Sequence, residues 1–304
     1  MSSPSERSRG IERRGIVGIG MAASLLLAAV AWRANGGLFP RWGAAGHTLR
    51  VCADPDNLPF SNRAEGGFEN RIAQLIAHDM DATVAYTWWP GQRSFLRSTL
   101  RARRCDVVMG TAAGAERVLT TDPYYCSSYV FVARPGSRHP IASFDDPALR
   151  PLRIGVPVIG QDYNSLPPNV ALAHRGLVDH VVGFELFAGS DADTSPWYRL
   201  IDAVERGDVD VAIAWGPPAG YFGQRATPTL QVTPVVDSAH GDTPFAYAIA
   251  AAVRPGDTAL RSMLNRALVH EHDAITGILR RYGVPLVHGT IPGAGEGKGG
   301  TQCG

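Results

Sequence analysis

Three polar side chains follow the first strand pattern of this chain and are the first candidates for chemistry. Asp54, Asp56 and Asn57 come directly after the apolar run LRVCA. Ligands of open α/β sheets bind at the carboxyl ends of the strands, so these residues could form the polar wall of a cleft. Their oxygens also suit a hard cation, and the same residue types cap turns by accepting backbone N–H groups. The sequence leaves these three interpretations open.

Two further short segments stand at equivalent places in the chain. Gly110 and Thr111 follow the run DVVM, and Gly160, Gln161 and Asp162 follow the run LRIGVPVI in the second half. Backbone N–H groups and short polar side chains at such turns can bind anionic or carbonyl oxygens. Together with the first group, they predict a single ligand-binding cleft.

Apolar residues complete the predicted cleft. Phe60 follows the first polar group and suits either the floor of a cleft or the core. Trp215 and Gly216 end the last strand pattern of the second half. The face of a Trp ring can hold a cation, so Trp215 adds a second kind of recognition to this edge.

Beyond the cation interpretation of the first polar group, no residue pattern in the chain indicates catalysis or a bound metal. The HExxH, GxSxG and GKS/T patterns are absent from the sequence, and with them the usual signatures of zinc, serine and phosphate chemistry. His270 and His272 are two residues apart on a predicted helix and therefore do not share a face. We expect no catalytic residue, no metal site and no cofactor.

The elements that must position these residues occur twice. Residues 94–110 read SFLRSTLRARRCDVVMG, and residues 197–216 read WYRLIDAVERGDVDVAIAWG. Each combines a helical pattern, a polar break, an Asp and a β-branched run that stops at Gly, which is typical of the second half of a βαβ unit. Each follows an earlier strand pattern, LRVCADP at 49–55 and LRIGVPV at 152–158. Two such halves predict an α/β protein of two lobes with a cleft between them.

The same patterns predict where the chain passes between the lobes. Residues 47–135 form the first part of lobe 1, residues 136–235 form lobe 2, and residues 236–288 return to lobe 1. Two crossings make a hinge that can close around a ligand. Among the helices expected in lobe 1, one covers residues 92–103 and the last covers residues 257–282, and the Gly-rich tail at 289–304 is predicted to be disordered.

The first 46 residues are predicted to be a signal peptide or, if uncleaved, an N-terminal membrane anchor. Four arginines precede the uncharged run at 15–32, which is the layout of a signal peptide, and we expect cleavage. The run is also at the lower length limit of a membrane-spanning helix. The whole chain of 304 residues has a net charge of +1, which argues against a nucleic-acid partner. We therefore expect a periplasmic protein.

Four cysteines in an exported chain favour a disulfide. Cys52 ends the first strand pattern and Cys105 opens a neighbouring one, so the sequence favours a Cys52–Cys105 bridge. Cys126 is an alternative partner, and free buried thiols are a third interpretation.

The order of motifs resembles a known family. The segments LRVCADPDNLPFSN, GFENRIAQLIAHDM, YTWWPGQRSFLRSTL, RCDVVMG and LTTDPYYCSSYVFVAR follow one another within about residues 48–285. They are similar to type II periplasmic solute-binding proteins of the polar amino-acid branch, family 3. They resemble more closely the members associated with PQQ-dependent methanol dehydrogenases of methylotrophic bacteria.

The resemblance implies a fold and a role. The fold is that of a type II periplasmic binding protein, with two α/β lobes, a hinge and an interlobe cleft. The implied partner is a PQQ-dependent alcohol dehydrogenase, which this protein would help to mature or activate by protein contact. A transporter receptor for a small polar solute is the alternative.

The resemblance also shows where this chain departs from amino-acid binders. Those proteins clamp the ligand carboxylate with an Arg shortly before an Asp-Pro-Tyr turn. Here Gly114 stands at that place, and Arg117 is predicted to be a surface charge. They also place an Asp after the last strand of lobe 2, where this chain has Trp215. The loss of both anchors argues against a free amino acid as the ligand.

Overall fold

The computed structural model describes residues 47–91, 94–136, 140–159, 166–186, 195–236, 244–291 and 301–303. The predicted signal segment at 1–46 lies outside these ranges. Within them, no helix combines the length and the apolar composition that crossing a bilayer requires.

The described elements alternate between strands and helices along most of the chain. The strands are β1 (His47–Ala53), β2 (Asp56–Asn57), β3 (Ser61–Asn62), β4 (Ala82–Trp88), β5 (Val108–Ala112), β6 (Leu119–Thr120), β7 (Tyr125–Ala133), β8 (Ile154–Val158), β9 (Val181–Glu185), β10 (Val211–Trp215), β11 (Gln231–Pro234), β12 (Ala246–Val253), β13 (Gly289–Ile291) and β14 (Thr301–Cys303). The helices are α1 (Phe68–Asp79), α2 (Phe95–Ser98), α3 (Pro167–His174), α4 (Pro196–Arg206), α5 (Gly216–Gly223), α6 (Thr258–His270) and α7 (His272–Arg281), with a 3₁₀ turn at Pro147–Leu149.

The long strand β7 connects two groups of strands. Its first half pairs antiparallel with β12, from Ser128 opposite Ala246 to Tyr125 opposite Ile249. Its second half pairs antiparallel with β10, which in turn lies parallel to β8. The strand order is therefore β5-β12-β7-β10-β8-β9, with the parallel pair β1-β4 bridged to the start of β5 through Val51 and Val107. The predicted two-lobed α/β fold is confirmed, and the lobe borders at 135 and 235 stay predictions.

The two sequence repeats form the same set of Arg–Asp hydrogen bonds in the structure. In lobe 1, the Arg50 guanidinium donates two hydrogen bonds to Asp106, at 2.9 and 2.6 Å. In lobe 2, the Arg153 guanidinium donates the same pair to Asp210, at 3.1 and 2.8 Å. In both lobes the backbone N–H of the Arg also donates to the same carboxylate. In lobe 1 this contact joins the residues before β5 to β1, and in lobe 2 it joins the residues before β10 to the start of β8.

In each lobe a second arginine, which directly follows a strand, pairs with the same Asp. Arg254 follows β12 and pairs with Asp106 at 3.1 Å, while Arg134 follows β7 and pairs with Asp210 at 3.5 Å. The guanidinium of Arg254 also bonds to the Cys105 carbonyl, and that of Arg134 bonds to the Val209 carbonyl. The two lobes are therefore built on the same polar joint.

Replacing Asp106 by Asn is expected to lower the free energy of unfolding by about 2 kcal/mol at pH 7, because Asp106 is only 6% exposed and accepts charged hydrogen bonds. Burial alone would raise the pKa of Asp106, but the hydrogen bonds from Arg50 and Arg254 outweigh burial and lower this pKa. The stabilisation is therefore present above the unfolded pKa of about 4 and is lost as the pH falls further. Urea unfolding at pH 7 and pH 3 measures both effects.

The exposed Asp179, changed to Asn, serves as the control and should show neither effect. Equal pH dependence of the wild type and the Asp106→Asn variant would contradict the assignment.

Both ends of the chain's described part are held by disulfides. The predicted Cys52–Cys105 bridge is confirmed, with a Cα–Cα distance of 5.5 Å. Cys126, the alternative partner, pairs with Cys303 instead. The prediction of a disordered tail at 289–304 is wrong at both of its ends, since β13 and β14 pair and Cys303 is bonded to β7. The Gly-rich composition of this segment did not indicate that a disulfide would attach its end to β7.

Two predicted helices differ from the structure. The helix expected over 92–103 covers only Phe95–Ser98 among the described residues, because the backbone leaves the helical conformation at Thr99 (φ −114°, ψ −82°) and Leu100 turns into the core beside the Cys52–Cys105 bridge. The helix expected over 257–282 breaks at Glu271 into α6 and α7. Both halves pack against α1, and the break allows each half to follow it.

Candidate functional site

A cavity of about 480 Å³ lies at the carboxyl ends of β1 and β5 and at the start of α4. Its volume is in the range of small-molecule pockets. Lobe 1 contributes residues that follow β1, the first turn of α1, and β5, while lobe 2 contributes the end of β10 and the residues Leu186, Pro196 and Trp197. The cleft predicted between the lobes is therefore present as a cavity in the structure.

Most of the sequence-predicted cleft residues that the structure describes line this cavity. They are Asp54, Asn57, Phe60, Gly110, Thr111 and Trp215. The segment Gly160, Gln161 and Asp162 lies outside the described residues.

Asp56 and Gly216 were expected in the cleft and are not among its described lining residues. Asp56 is exposed in the β2–β3 hairpin. Gly216 is buried under β7, where a Cβ would lie 2.6 Å from Ser127 Oγ. Both residues adjoin a lining residue in sequence, and the change of direction at each turn carries them away from the cavity.

Asp54 serves both as a turn cap and as part of the cavity wall. Its Oδ1 accepts the backbone N–H of Asp56 at 3.0 Å, and its Oδ2 accepts the backbone N–H of Gly91 at 2.6 Å. Burial raises the pKa of Asp54, and these two hydrogen bonds oppose the shift. The carboxylate is therefore held in one orientation at the cavity edge.

Glu69 is a second carboxylate of the cavity, and the sequence analysis did not select it. It stands in the first turn of α1, where a helix N-terminus favours negative charge. The strand residue Gly110 leaves room for it, because a Cβ at that position would lie 2.1 Å from Glu69 Oε1. Burial, and secondarily the charge of Asp54, raise the pKa of Glu69 to about 8. Among the described residues, none donates a hydrogen bond to the Glu69 carboxylate.

Aromatic rings form much of the remaining wall. Trp215 stands edge-on to Tyr129 and Tyr247, with ring centroids 5.5 and 5.9 Å apart. Phe60 and Tyr125 flank the buried ring of Phe68 at 5.3 and 6.0 Å, which fixes the side of the cavity next to Glu69. The aromatic walls come from both lobes.

A hydrogen bond between the lobes closes one side of the cavity. Ser195, at the start of α4, donates its hydroxyl to the Leu58 carbonyl at 2.7 Å. This contact brings Pro196 and Trp197 over the residues that follow β1.

The described lining of the cavity contains acidic side chains but no Arg, Lys or His. Arg117, the residue closest to the usual carboxylate clamp, is exposed and does not line the cavity. The geometry therefore offers nothing among the described residues to neutralise the carboxylate of a free amino acid.

The family model described as bacterial extracellular solute-binding proteins, family 3, matches residues 49–283. This chain belongs to that family. The family 3 resemblance inferred from the motif order is thereby confirmed.

Among curated proteins, this family 3 protein is 31% identical to "Protein MoxJ" of Methylorubrum extorquens, over 79% of this chain and 82% of that protein. Among solved structures, it is similar to the periplasmic binding protein XoxJ from Methylobacterium extorquens AM1, with 32% identity and a TM-score of 0.65 over 79% of this chain and 99% of that one. It is also similar to MxaJ from Methlophaga aminisulfidivorans, with 27% identity and a TM-score of 0.66 over 79% and 100% of the two chains.

Three titratable groups outside the cavity of this family 3 protein lie close enough to suggest a metal. Asp79, His270 and Glu271 have ligand atoms within 4.8 Å of one another. His270 Nδ1 already bonds to Asp79 Oδ1 at 2.5 Å, and this hydrogen bond, followed by the charges of Asp79 and Glu271, raises the pKa of His270. An exposed ion pair between the ends of α1 and α6 accounts for the cluster.

Proposed function

We propose that this chain is a periplasmic binding protein without catalysis of its own that helps a PQQ-dependent alcohol dehydrogenase to mature or become active. The observation that carries the proposal is the similarity to XoxJ and MxaJ along nearly the whole of those chains. The relative named MoxJ and the sequence resemblance to dehydrogenase-associated binding proteins support the same role. Nothing in the composition suggests a nucleic-acid partner, and the N-terminal segment, if uncleaved, is the proposed link to a membrane.

The cavity suits contact with a protein segment better than capture of a free amino acid. Trp197 and Trp215 offer aromatic surface from lobe 2, and such residues often anchor protein partners. The described lining lacks a cation for an α-carboxylate. A side chain from a partner segment has no free carboxylate next to its backbone, so it does not need that clamp.

A transporter receptor for a small polar solute is the second candidate. The size of the cavity and the Ser195–Leu58 contact between the lobes favour it, because receptors of this fold close around small ligands. Asp54, Asn57 and Thr111 would then supply the polar contacts.

Pull-down from methanol-grown cells tests the role. We expect the tagged protein to retain a PQQ-dependent dehydrogenase, and the double variant Trp197→Ala/Trp215→Ala to retain at least tenfold less, as expected for the loss of two aromatic anchors. The matched control is Tyr198→Ala, since Tyr198 is a neighbouring aromatic residue that does not line the cavity.

Thermal melting with a panel of amino acids and small polar solutes tests the alternative, since a ligand that binds only the folded protein raises the melting temperature. A shift at micromolar solute concentration, with no dehydrogenase retained, would replace the accessory role by the receptor role.

A further inference from the structure

We propose that an arginine-rich loop of lobe 1, residues 97–104, docks onto an acidic surface of a protein partner. The loop carries Arg97, Arg101, Arg103 and Arg104, and we call it the basic loop. None of its residues is among the described lining of the cavity. The proposal rests on the proposed function only for the identity of the partner, the dehydrogenase.

The first argument is the distribution of charge along the chain. Residues 82–105 contain five arginines and no Asp or Glu, whereas the rest of residues 47–304 has eight more acidic than basic side chains. Positive charge is therefore concentrated in one short segment of a chain that is otherwise acidic. Such a segment attracts an acidic partner even though the protein as a whole would repel it.

The second argument is that the guanidinium groups of the basic loop are not neutralised within the chain. All four arginines are exposed, and none of them forms an ion pair with a residue that the structure describes. The nearest acid in the sequence, Asp106, is only 6% exposed and already pairs with Arg50 and Arg254. The four charges of the loop are therefore available to carboxylates of another molecule.

The third argument is that the basic loop has a fixed shape before a partner binds. The backbone N–H of Arg104 donates to the Thr99 carbonyl at 3.1 Å, and the Thr87 hydroxyl donates to the Arg104 carbonyl at 2.9 Å. Cys105, directly after the loop, is bonded to Cys52. A preformed surface loses less conformational entropy on binding than a mobile one, so fewer contacts suffice to hold a partner.

Two arginines of the loop are held in defined positions, one by its backbone and one by an aromatic ring. Arg103 has a φ of 58°, a left-handed conformation that favours Gly or Asn. The Arg104 guanidinium lies over the Trp89 ring, 4.6 Å from its centroid. A guanidinium that stacks on a ring can still donate its N–H groups to a carboxylate. Both charges are therefore presented at fixed places, and Arg103 occupies its place at a steric cost.

The place of the loop in the fold favours a partner that also reaches the cavity. Phe95 and Leu96, directly before Arg97, line the cavity between the lobes, so the basic loop begins beside the cavity wall. A partner with one segment in the cavity would bring its flanking surface close to the loop. The loop would then add electrostatic attraction to the aromatic contacts of the cavity.

The composition of the basic loop favours a protein over a lipid surface. Helices and loops that bind membranes from one side usually insert large apolar side chains beside their basic residues. The large apolar side chains that are exposed among the described residues all lie outside this loop. Guanidinium groups without such neighbours suit the paired oxygens of carboxylates, which they can bind through two parallel hydrogen bonds.

Fluorescence anisotropy with an acidic peptide tests the surface without the dehydrogenase. The probe is fluorescein-labelled octaglutamate amide, and a labelled Gly-Ser repeat of the same length is the neutral control. We expect the purified protein to bind octaglutamate and not the neutral peptide. Binding should weaken about tenfold when sodium chloride rises from about 20 to 200 mM, because salt screens exposed charges.

Charge reversal separates the loop from the overall charge of the protein. The double variant Arg97→Glu/Arg101→Glu should weaken octaglutamate binding at least tenfold, because two attractions become repulsions. The matched control is Arg117→Glu/Arg266→Glu, which reverses two exposed arginines from other segments and gives the same net charge. The control should bind within about threefold of the wild type, and equal losses in the two double variants would overturn the proposal.

Arg103→Gly separates binding from folding. Gly adopts a positive φ without a steric cost, so this variant should melt at or above the wild-type temperature. It also removes one exposed charge, and should bind octaglutamate about threefold more weakly. Wild-type binding by both Arg103→Gly and Arg97→Glu/Arg101→Glu would show that the loop does not receive carboxylates.

Pull-down of the dehydrogenase distinguishes this proposal from the proposed function. We expect Arg97→Glu/Arg101→Glu to retain at least tenfold less dehydrogenase than the wild type and the matched control. Full retention by this variant would overturn docking through the loop and leave the accessory role standing. Octaglutamate binding by a wild-type protein that retains no dehydrogenase would support the acidic-partner surface and remove the dehydrogenase as its partner.

Two further results would overturn docking onto another protein. Tighter binding to phosphatidylglycerol vesicles than to octaglutamate would assign the loop to a lipid surface. A dimer in native mass spectrometry of the wild type that is lost in Arg97→Glu/Arg101→Glu would assign the loop to a second copy of this chain.

Discussion

Replacing Cys52 and Cys105 together by alanine is expected to lower the free energy of unfolding by about 4 kcal/mol. The bridge joins residues separated by 53 positions, so its loss returns a large loop entropy to the unfolded chain. Both sulfurs are buried in a cluster with Leu100, Val108 and Ala252, so the native state also loses packing. Guanidinium unfolding followed by Trp fluorescence measures the change, and the slope of the transition should rise as the unfolded chain expands.

The two single variants serve as controls for this bridge. Each breaks the same bond, so Cys52→Ala and Cys105→Ala should each lose nearly as much as the double variant. Additive losses would indicate packing as the source of the stability, and a double variant within about 1 kcal/mol of the wild type would contradict the loop-entropy argument.

Phe68→Ala is expected to destabilise the protein by a similar amount, about 4 kcal/mol, because Phe68 is fully buried at the start of α1. Its ring stands edge-on to Tyr125 and Tyr282, with centroids 6.0 and 5.9 Å away, and is tilted against Phe60 at 5.3 Å. The loss removes these contacts and leaves a cavity behind Glu69. Urea unfolding measures the change in stability.

Phe68→Leu is the matched control, since it keeps an apolar side chain and should lose about 1 to 1.5 kcal/mol. If Phe68→Ala also lost no more than that, Phe68 would not be the centre of this aromatic group.

The parts of the site in or next to the ends of strands were predictable. Asp54 and Asn57 follow β1, Gly110 and Thr111 lie in the second half of β5, and Trp215 ends β10. All five line the cavity, because these strand ends meet at one edge of the structure. The sequence did not show that Asp56 points away from the cavity while its neighbours line it, because a tight hairpin turns alternate side chains in different directions. The sequence showed where the edge lies but not which way each turn residue points.

Glu69 and Trp197 were missed for a different reason. Both stand in the first turn of a helix, in α1 and α4, and a helix presents every direction around its axis. Which side faces the cavity depends on how the helix packs against the sheet. A usable signal was available for Glu69, since an acid directly after Gly67 and Phe68 at a helix start lies near the strand ends in an α/β unit.

The sequence by itself predicted two α/β halves and the Asp of each copy, because periodicity and repeated spacing are local properties that any packing must satisfy. It favoured the Cys52–Cys105 bridge but left Cys126 and free thiols open, and the structure decided between them. Only the tertiary structure decided that Arg254 and Arg134 complete the two polar joints, that Cys303 anchors the tail to Cys126, and that Glu69 faces the cavity. These contacts join residues far apart in the chain. Their partners are selected by shape and charge once the lobes have formed, and no short segment carries that information.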